Sequence, residues 1–325
     1  AFWVHPTLAF NSLLIAATET GLASFNIEDG APVATIDAGA PSGLDVGYFG
    51  AGATAEGVAV TFDQDAGQFR FYAVDNVDRG FALLPTLMVT PQTIDGFCAG
   101  RDGEATALAL YAISGASISK YTLSRADAGI SAPQSTRIET PVEFADCVVD
   151  EADGAVFATT RTGDIYRMRD GAAPALFAST AGVSDIASIA LALARGASGD
   201  SDAACCGQVS VLDGKTGSVR VFDRRDGAAL GAVSISASFD VEAVATASSM
   251  TIGSGNFGGA YRDGVLVLTT PSGEGSDLLR LAPWGGVLNA LDQPAGAPVN
   301  RRSIGDDADD DDDDDTVIDF DALDP

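Results

Sequence analysis

The sequence predicts an all-β chain, folded as a six-bladed β-propeller with four-stranded antiparallel blades. Three observations carry that expectation. Helical periodicity is almost absent, short strand pairs joined by Gly, Asp or Asn turns recur, and they recur at a steady interval. The pairs are 13–18 with 22–27, 57–62 with 69–74, 107–113 with 118–123, 155–160 with 164–168, 208–212 with 218–223, and 265–270 with 278–283. Their starts are 44, 50, 48, 53 and 57 residues apart. A period near 50 with four strands per unit suits blades stacked radially, each burying both faces of its sheet. Two stacked sandwiches would explain the strands but not the interval.

Each blade also needs an innermost strand ahead of its hairpin, lining the central channel. The candidates are 43–49, 94–99, 144–149, 185–191 and 239–245, with 2–5 serving the first blade. Five of these carry acids at or near their starts: Asp45, Asp95, Asp146, Asp185, and Asp240 with Glu242. An Asp at a strand start commonly accepts local backbone hydrogen bonds, which is the simple reading of each one. Taken together, carboxylates in phase on converging strands would repel unless a cation compensates, which suggests a Ca²⁺ site.

Composition narrows the function classes. The chain of 325 residues is 46% hydrophobic with 37 glycines, enough for a large core and many turns. No run of 18 apolar residues occurs, so no membrane span is expected. No basic or apolar leader region is visible in residues 1–11. The net charge is −28, of which 12 aspartates between Asp306 and Asp324 contribute a local share, leaving −16 elsewhere. Such a surface repels nucleic-acid phosphates and excludes a DNA or RNA partner as an expectation. It suits divalent cations or a high-salt setting. Residues 1–304 are expected to form the propeller and 305–325 a disordered, solvated acidic tail, with Val317-Ile318-Asp319-Phe320 as a short apolar patch within it.

Other signals are weaker. The single histidine, His5, reads as a packing or hydrogen-bonding residue beside Trp3, and one His offers no Ser/His/Asp arrangement. Asp213-Gly-Lys-Thr-Gly217 evokes a phosphate loop but lies between two strands with no helix behind it, and reads as a hairpin turn. The four cysteines, Cys98, Cys147, Cys205 and Cys206, fit no zinc spacing.

A family resemblance runs along residues 1 to about 290. The opening Ala1-Phe-Trp-Val-His-Pro6 with Leu14-Ile15 and Gly21-Leu22 resembles the start of β-propeller phytases. Further similar runs follow in order: Leu44-Asp45-Val46-Gly47-Tyr48, Gly96-Phe97-Cys98, Cys147-Val148-Val149-Asp150, Val221-Phe222-Asp223-Arg224 and Ala282-Pro283-Trp284. The resemblance implies a Ca²⁺-dependent phosphomonoesterase acting on phytate (myo-inositol hexakisphosphate). Several ions held by acids at one channel end, with a few Lys and Arg side chains, would grip neighbouring phosphates while a metal-activated water attacks. It also implies an extracellular or periplasmic, secreted protein, and Cys98 and Cys147 fall where the family tends to have cysteine. They would form either an inter-blade disulfide or two buried thiols.

Position by position, that site looks eroded. Asp45 and Tyr48 persist, Tyr48 as a candidate substrate-binding residue, but Gly47 stands where the family has Arg. Thr18-Glu19-Thr20 replaces a Lys-rich turn, Asp63-Gln64-Asp65 an Asn-Arg-Ser turn, and Thr160-Arg161-Thr162 a Glu-Glu-Asp turn. Ala145 replaces one glutamate, though Asp146 follows at once, Ala187 replaces another beside the surviving Asp185, and Thr270-Pro271-Ser272 replaces Gln-Asp-Gly. No matched position keeps a phosphate-binding base, and each such contact contributes roughly 1.5–3 kcal/mol. The expectation is a phytase-like domain that is weak or inactive alone, assisting or binding, for instance beside a second phytase domain. The alternatives are an active Ca²⁺-dependent 3-phytase and a non-catalytic propeller for protein interaction.

Overall fold

Strand residues alternate strictly between the two neighbours of each blade, and this alternation builds the ring. In blade 2, Val58, Val60 and Phe62 pack towards blade 3, while Ala59, with Val46 and Tyr48, packs towards blade 1. The same division recurs around the molecule, so the core is six apolar clusters, one at each blade boundary. The structure is a computed structural model describing residues 1–304, except 86, 89–92, 103, 127–128, 131–133, 170–171, 181–182, 184, 196–205, 238–241, 273–274 and 276. The tail expected at 305–325 lies outside the described residues.

Blade 1 comprises Phe2–Trp3, Leu13–Thr18, Gly21–Asn26 and Pro32–Asp37, paired in that order from the channel outwards. Blade 2 is Leu44–Phe49, Glu56–Asp63, Gln68–Val74 and Phe81–Leu83, with Leu87–Met88 also on its third strand. Blade 3 is Gly96–Asp102, Glu104–Ser114, Ser117–Ala126 and Gln134–Glu139, with Gly129–Ile130 beside it. Blade 4 is Asp146–Asp150, Ala155–Thr159, Asp164–Arg169 and Ala175–Ser179. Blade 5 is Ile186–Arg195, Cys206–Asp213, Ser218–Asp223 and Ala229–Val233. Blade 6 has three strands among the described residues: Ser249–Gly253, Val265–Pro271 and Asp277–Pro283. All pairings are antiparallel, and the six inner strands neighbour one another in a closed ring.

All six hairpins fall where the strand signals place them. Their turns have a local cause: in blades 2 and 5 an Asp opens the turn and a Gly closes it. Asp63 Oδ1 accepts Ala66 N and Asp213 Oδ1 accepts Lys215 N, while Gly67 and Gly217 both take φ +62°. The Asp213–Gly217 segment is thus a hairpin turn and not a phosphate loop.

One inner strand is elsewhere than expected. The partner of Val265–Pro271 is Ser249–Gly253, not 239–245. Both stretches alternate apolar with other residues, and Val244, Met250 and Ile252 are all buried at the blade 5–6 boundary, but it is Ser249–Gly253 that hydrogen-bonds to the second strand of blade 6. The longer connection from 254 to 264 seats Phe257 against Phe2, ring centroids 5.5 Å apart, and closes blade 6 on blade 1.

Beyond blade 6 a short helix, Trp284–Ala290, buries Trp284, Val287 and Leu288 against the blade 5–6 boundary. The chain then returns to the channel. Ala297–Pro298 pairs with the end of blade 5's inner strand, and a 3₁₀ turn, Arg301–Ser303, follows with Asn300 Oδ1 accepting Arg302 N at its start. Val299 and Ile304 are buried at either end of this strap. It lies on the face where the inner strands finish, which we call the exit face.

Candidate functional site in the central channel

Two of the expected acids reach the channel in equivalent roles. Asp45 Oδ1 accepts Val46 N at 2.8 Å and its Oδ2 accepts Ala99 N, on the inner strand of blade 3, at 2.8 Å. Asp146 Oδ1 accepts Cys147 N at 2.9 Å and its Oδ2 accepts Ile189 N, on the inner strand of blade 5, at 3.0 Å. Each carboxylate therefore stitches its own inner strand to the next. Burial raises Asp45 above the usual carboxylate range, against the opposing pull of Arg301 and the two N–H donors. Burial likewise pushes Asp146 up to about 7, with repulsion from Asp45 adding to it and the Ile189, Cys147 and Ser188 hydrogen bonds opposing.

The other candidates are not brought to these two. Asp95 sits at the rim, its Oδ2 accepting Gly115 N of its own hairpin at 2.8 Å, with Arg161 Nη2 3.9 Å from Oδ1. Asp185 is exposed and offers its carbonyl to Gly214 N at 3.0 Å. Glu242 is exposed in the connection preceding blade 6, and Asp240 lies outside the described residues. Tyr48 is fully buried. Its hydroxyl accepts Val4 N at 2.8 Å, and the Arg302 guanidinium lies 5.1 Å from its ring centroid. A Cβ at Gly47 would run into Leu108 Cδ1, so Leu108 fills the space a larger side chain would need there. Among the described residues, no three His, Cys, Asp or Glu side chains converge as a metal site would require.

The polar centre of the channel is instead built by residues that the strand phase did not single out. Glu151, 7% exposed, follows the inner strand of blade 4. It accepts Arg101 N at 3.2 Å and is gripped by Arg301 through Nε at 3.2 Å and Nη2 at 3.1 Å. Burial alone would lower Arg301, but Glu151 and Asp45 outweigh it and hold the guanidinium above its ordinary value. Arg101, itself 4% exposed, donates through Nη2 to the carbonyls of Arg301 and Arg302 at 3.4 and 3.3 Å. Arg302, 1% exposed, donates to Val4 O at 2.9 Å, to Ala55 O, and to Asn76 Oδ1 at 3.2 Å. Its guanidinium lies 5.4 Å from the Trp3 ring centroid. Two consecutive arginines between Val299 and Ile304, in a chain this acidic, were the available signal.

The strap thereby seals the exit end of the channel. A pocket beside the strap is lined by Asp45, Phe2, Ser254, Val299 and Arg301 among others, with about 20 Å³ open to the centre of a water-sized sphere. That is room for about one or two waters. His5 is at the same face, its ring edge-on to Trp3 at 5.7 Å and its Nδ1 accepting Thr7 N and Leu8 N, the packing role expected of it.

Two cross-links tie blade 4 to its neighbours. Cys98 and Cys147 form a disulfide between the inner strands of blades 3 and 4, with Cα atoms 5.5 Å apart. Asp150 and Arg224 form a fully buried bidentate pair between blades 4 and 5, Nη2 to Oδ1 at 2.8 Å. Cys206 begins the second strand of blade 5 and is half-buried, while Cys205 lies outside the described residues.

No protein-family model and no curated protein matches the chain. Among solved structures it is similar to the crystal structure of RRP9 WD40 repeats, with a TM-score of 0.51 over 90% of this chain and 77% of that one. The two are 12% identical, so the likeness concerns the propeller fold alone. No helix is long and apolar enough to cross a membrane among the described residues.

Proposed function

We propose that this propeller works by binding a protein partner and not by catalysis, on a frame akin to the β-propeller phytases. The observation that carries the reading is the strap. A site for a polyanion such as phytate needs an open pocket with cations directed into it. Here Arg301 and Arg302 direct donors to Glu151 and to main-chain carbonyls, and the pocket beside Asp45 and Arg301 has room for about one or two waters. Asp45 and Asp146, the best placed Ca²⁺ ligands, have both oxygens engaged by backbone N–H groups. Weak or absent phosphatase activity follows from the same features.

The binding surface in this reading is the exit face. Leu8 and Phe10 are 43% and 51% exposed in the loop after the first inner strand, and Val77 is 84% exposed in a loop of blade 2. Arg302 anchors both loops, through Val4 and Asn76, so the apolar tips stand on a rigid base. A second propeller of the same family is the first partner class to try.

Two measurements test this. Phosphate release from phytate should stay at the buffer background with and without Ca²⁺. Turnover that disappears in Asp45→Asn would overturn the binding reading in favour of an active phytase. A partner identified by cross-linking and then purified should bind the Leu8→Asp/Phe10→Asp/Val77→Asp variant at least tenfold more weakly. Unchanged affinity would remove this face from consideration.

A further inference from the structure

Blade 6 stops at its third strand. In the other five blades a fourth strand covers the third, and each third strand contains fully buried residues, among them Leu22, Phe71, Leu123, Ile165 and Val221. Asp277–Pro283 has none: Leu278 is 41% exposed, and Leu279 and Leu281 are only half-buried beside the buried Val265 and Val267. In an antiparallel sheet every second N–H and C=O of such a strand points to its outer side. Among the described residues no strand receives them. A long apolar edge of this kind templates strand addition.

We propose that Thr316–Phe320 of this chain occupies that edge as the fourth strand of blade 6. Thr-Val-Ile-Asp-Phe is the single β-branched and aromatic run after Gly305, and these residue types suit a half-covered sheet position. Its alternation matches the edge. Ile318 and Phe320 share the side of Leu279 and Leu281, facing blade 1, which places Asp319 on the side of Arg280, the basic residue of the strand. The direction also matches. Fourth strands elsewhere begin at the exit face, and the described chain ends there, at Ile304. The tether of residues 305–315 spans at most about 36–40 Å when extended. A fourth strand lies three strand spacings from the inner one, about 14 Å, which leaves slack to cross the channel mouth.

Amide hydrogen exchange on the full chain tests the pairing. Ile318→Pro removes a donor and fixes a backbone angle within the segment while leaving every blade residue in place. Peptides covering 277–283 should exchange at least tenfold faster in Ile318→Pro than in the unmodified chain, with 107–123 of blade 3 unchanged. Equal rates at 277–283 in the two proteins would overturn the proposal. Arg280→Glu should also speed exchange there, and adding Asp319→Lys should restore it; failure to restore would overturn the assigned register. Protection that vanishes on dilution together with a dimer would assign the edge to a second copy and overturn pairing within one chain.

Discussion

Asp146 shows how a residue legible in the sequence acquires a role that is not. Its place on an inner strand followed from the phase of the repeat, as did that of Asp45. What the carboxylate does there depends on Ile189 N across the blade boundary, and no local pattern encodes that contact. The consequence is a pH dependence. An unfolded Asp titrates near 3.9, and burial pushes Asp146 up to about 7 in the folded state. The folded state therefore binds more protons between those values, so this contribution to stability is fully present below about 4 and is lost as pH rises to about 7. The loss is bounded at about 4 kcal/mol by the size of the shift. Denaturant midpoints measured in chelator from pH 4.5 to 7.5 should fall with pH, and Asp146→Asn should flatten that slope. An unchanged slope would show that the buried carboxylate does not titrate in this window. Burial raises Asp150 as well, but there a bidentate guanidinium from Arg224 opposes it. Asp150→Ala removes the bidentate partner of Arg224 and leaves it Asp153, 3.6 Å from its Nη2, so the cost in urea unfolding should fall at the lower end of roughly 3–5 kcal/mol. Replacing both residues by apolar ones of similar volume should recover much of that cost.

At the scale of elements, hairpins were legible and the returning strap was not. Alternation and turn chemistry act over a few residues, so 155–160 with 164–168 was found within a residue or two. The inner strand of blade 6 was misplaced because 239–245 alternates as well as Ser249–Gly253 does and its Val244 is buried at the same boundary, so only the long-range pairing with Val265–Pro271 separates them. The strap has no periodic signal at all: its hold comes from Arg302 reaching Val4, Ala55 and Asn76, over 200 residues away in sequence. Arg302→Ala would leave Val4 O and Ala55 O without this donor and remove the cation from between Trp3 and Tyr48. A destabilisation of about 3 kcal/mol or more is expected, with altered Trp fluorescence before global unfolding as the strap lifts. A single cooperative transition of wild-type midpoint would show that the strap contributes little. The disulfide acts on a different link, closing a separation of 49 residues between Cys98 and Cys147. The chain-entropy treatment gives about 4 kcal/mol for such a loop. Cys98→Ala/Cys147→Ala should lose roughly 2–4 kcal/mol in denaturant titrations while keeping its far-ultraviolet circular dichroism.

The whole molecule is a ring whose boundaries differ in strength. Between blades 6 and 1 the cluster holds seven fully buried residues among those described, against eleven to fourteen at the other boundaries. Closure there rests on side chains such as Phe2 and Phe257, since no described strand is shared across it. A weak boundary in a chain of net charge −28 is sensitive to anything that pushes blades apart. With 46 acids to 18 bases, most carboxylates have no cation to pair with, and like-charge repulsion outweighs the few surface ion pairs. Screening shortens the reach of that repulsion from about 10 Å at 0.1 M salt to about 3 Å at 1 M. The Tm should therefore rise by several degrees between 0.05 and 1 M KCl, an ion chosen because chloride, unlike sulfate, acts here mainly by screening. Hydrogen exchange should show the gain first in residues 249–253 and 265–271, beside the weakest boundary. A Tm that falls with added KCl would mean that ion pairs such as Arg125–Glu56 and Arg70–Asp63 outweigh the excess negative charge, and that the acidic surface is not what limits the ring.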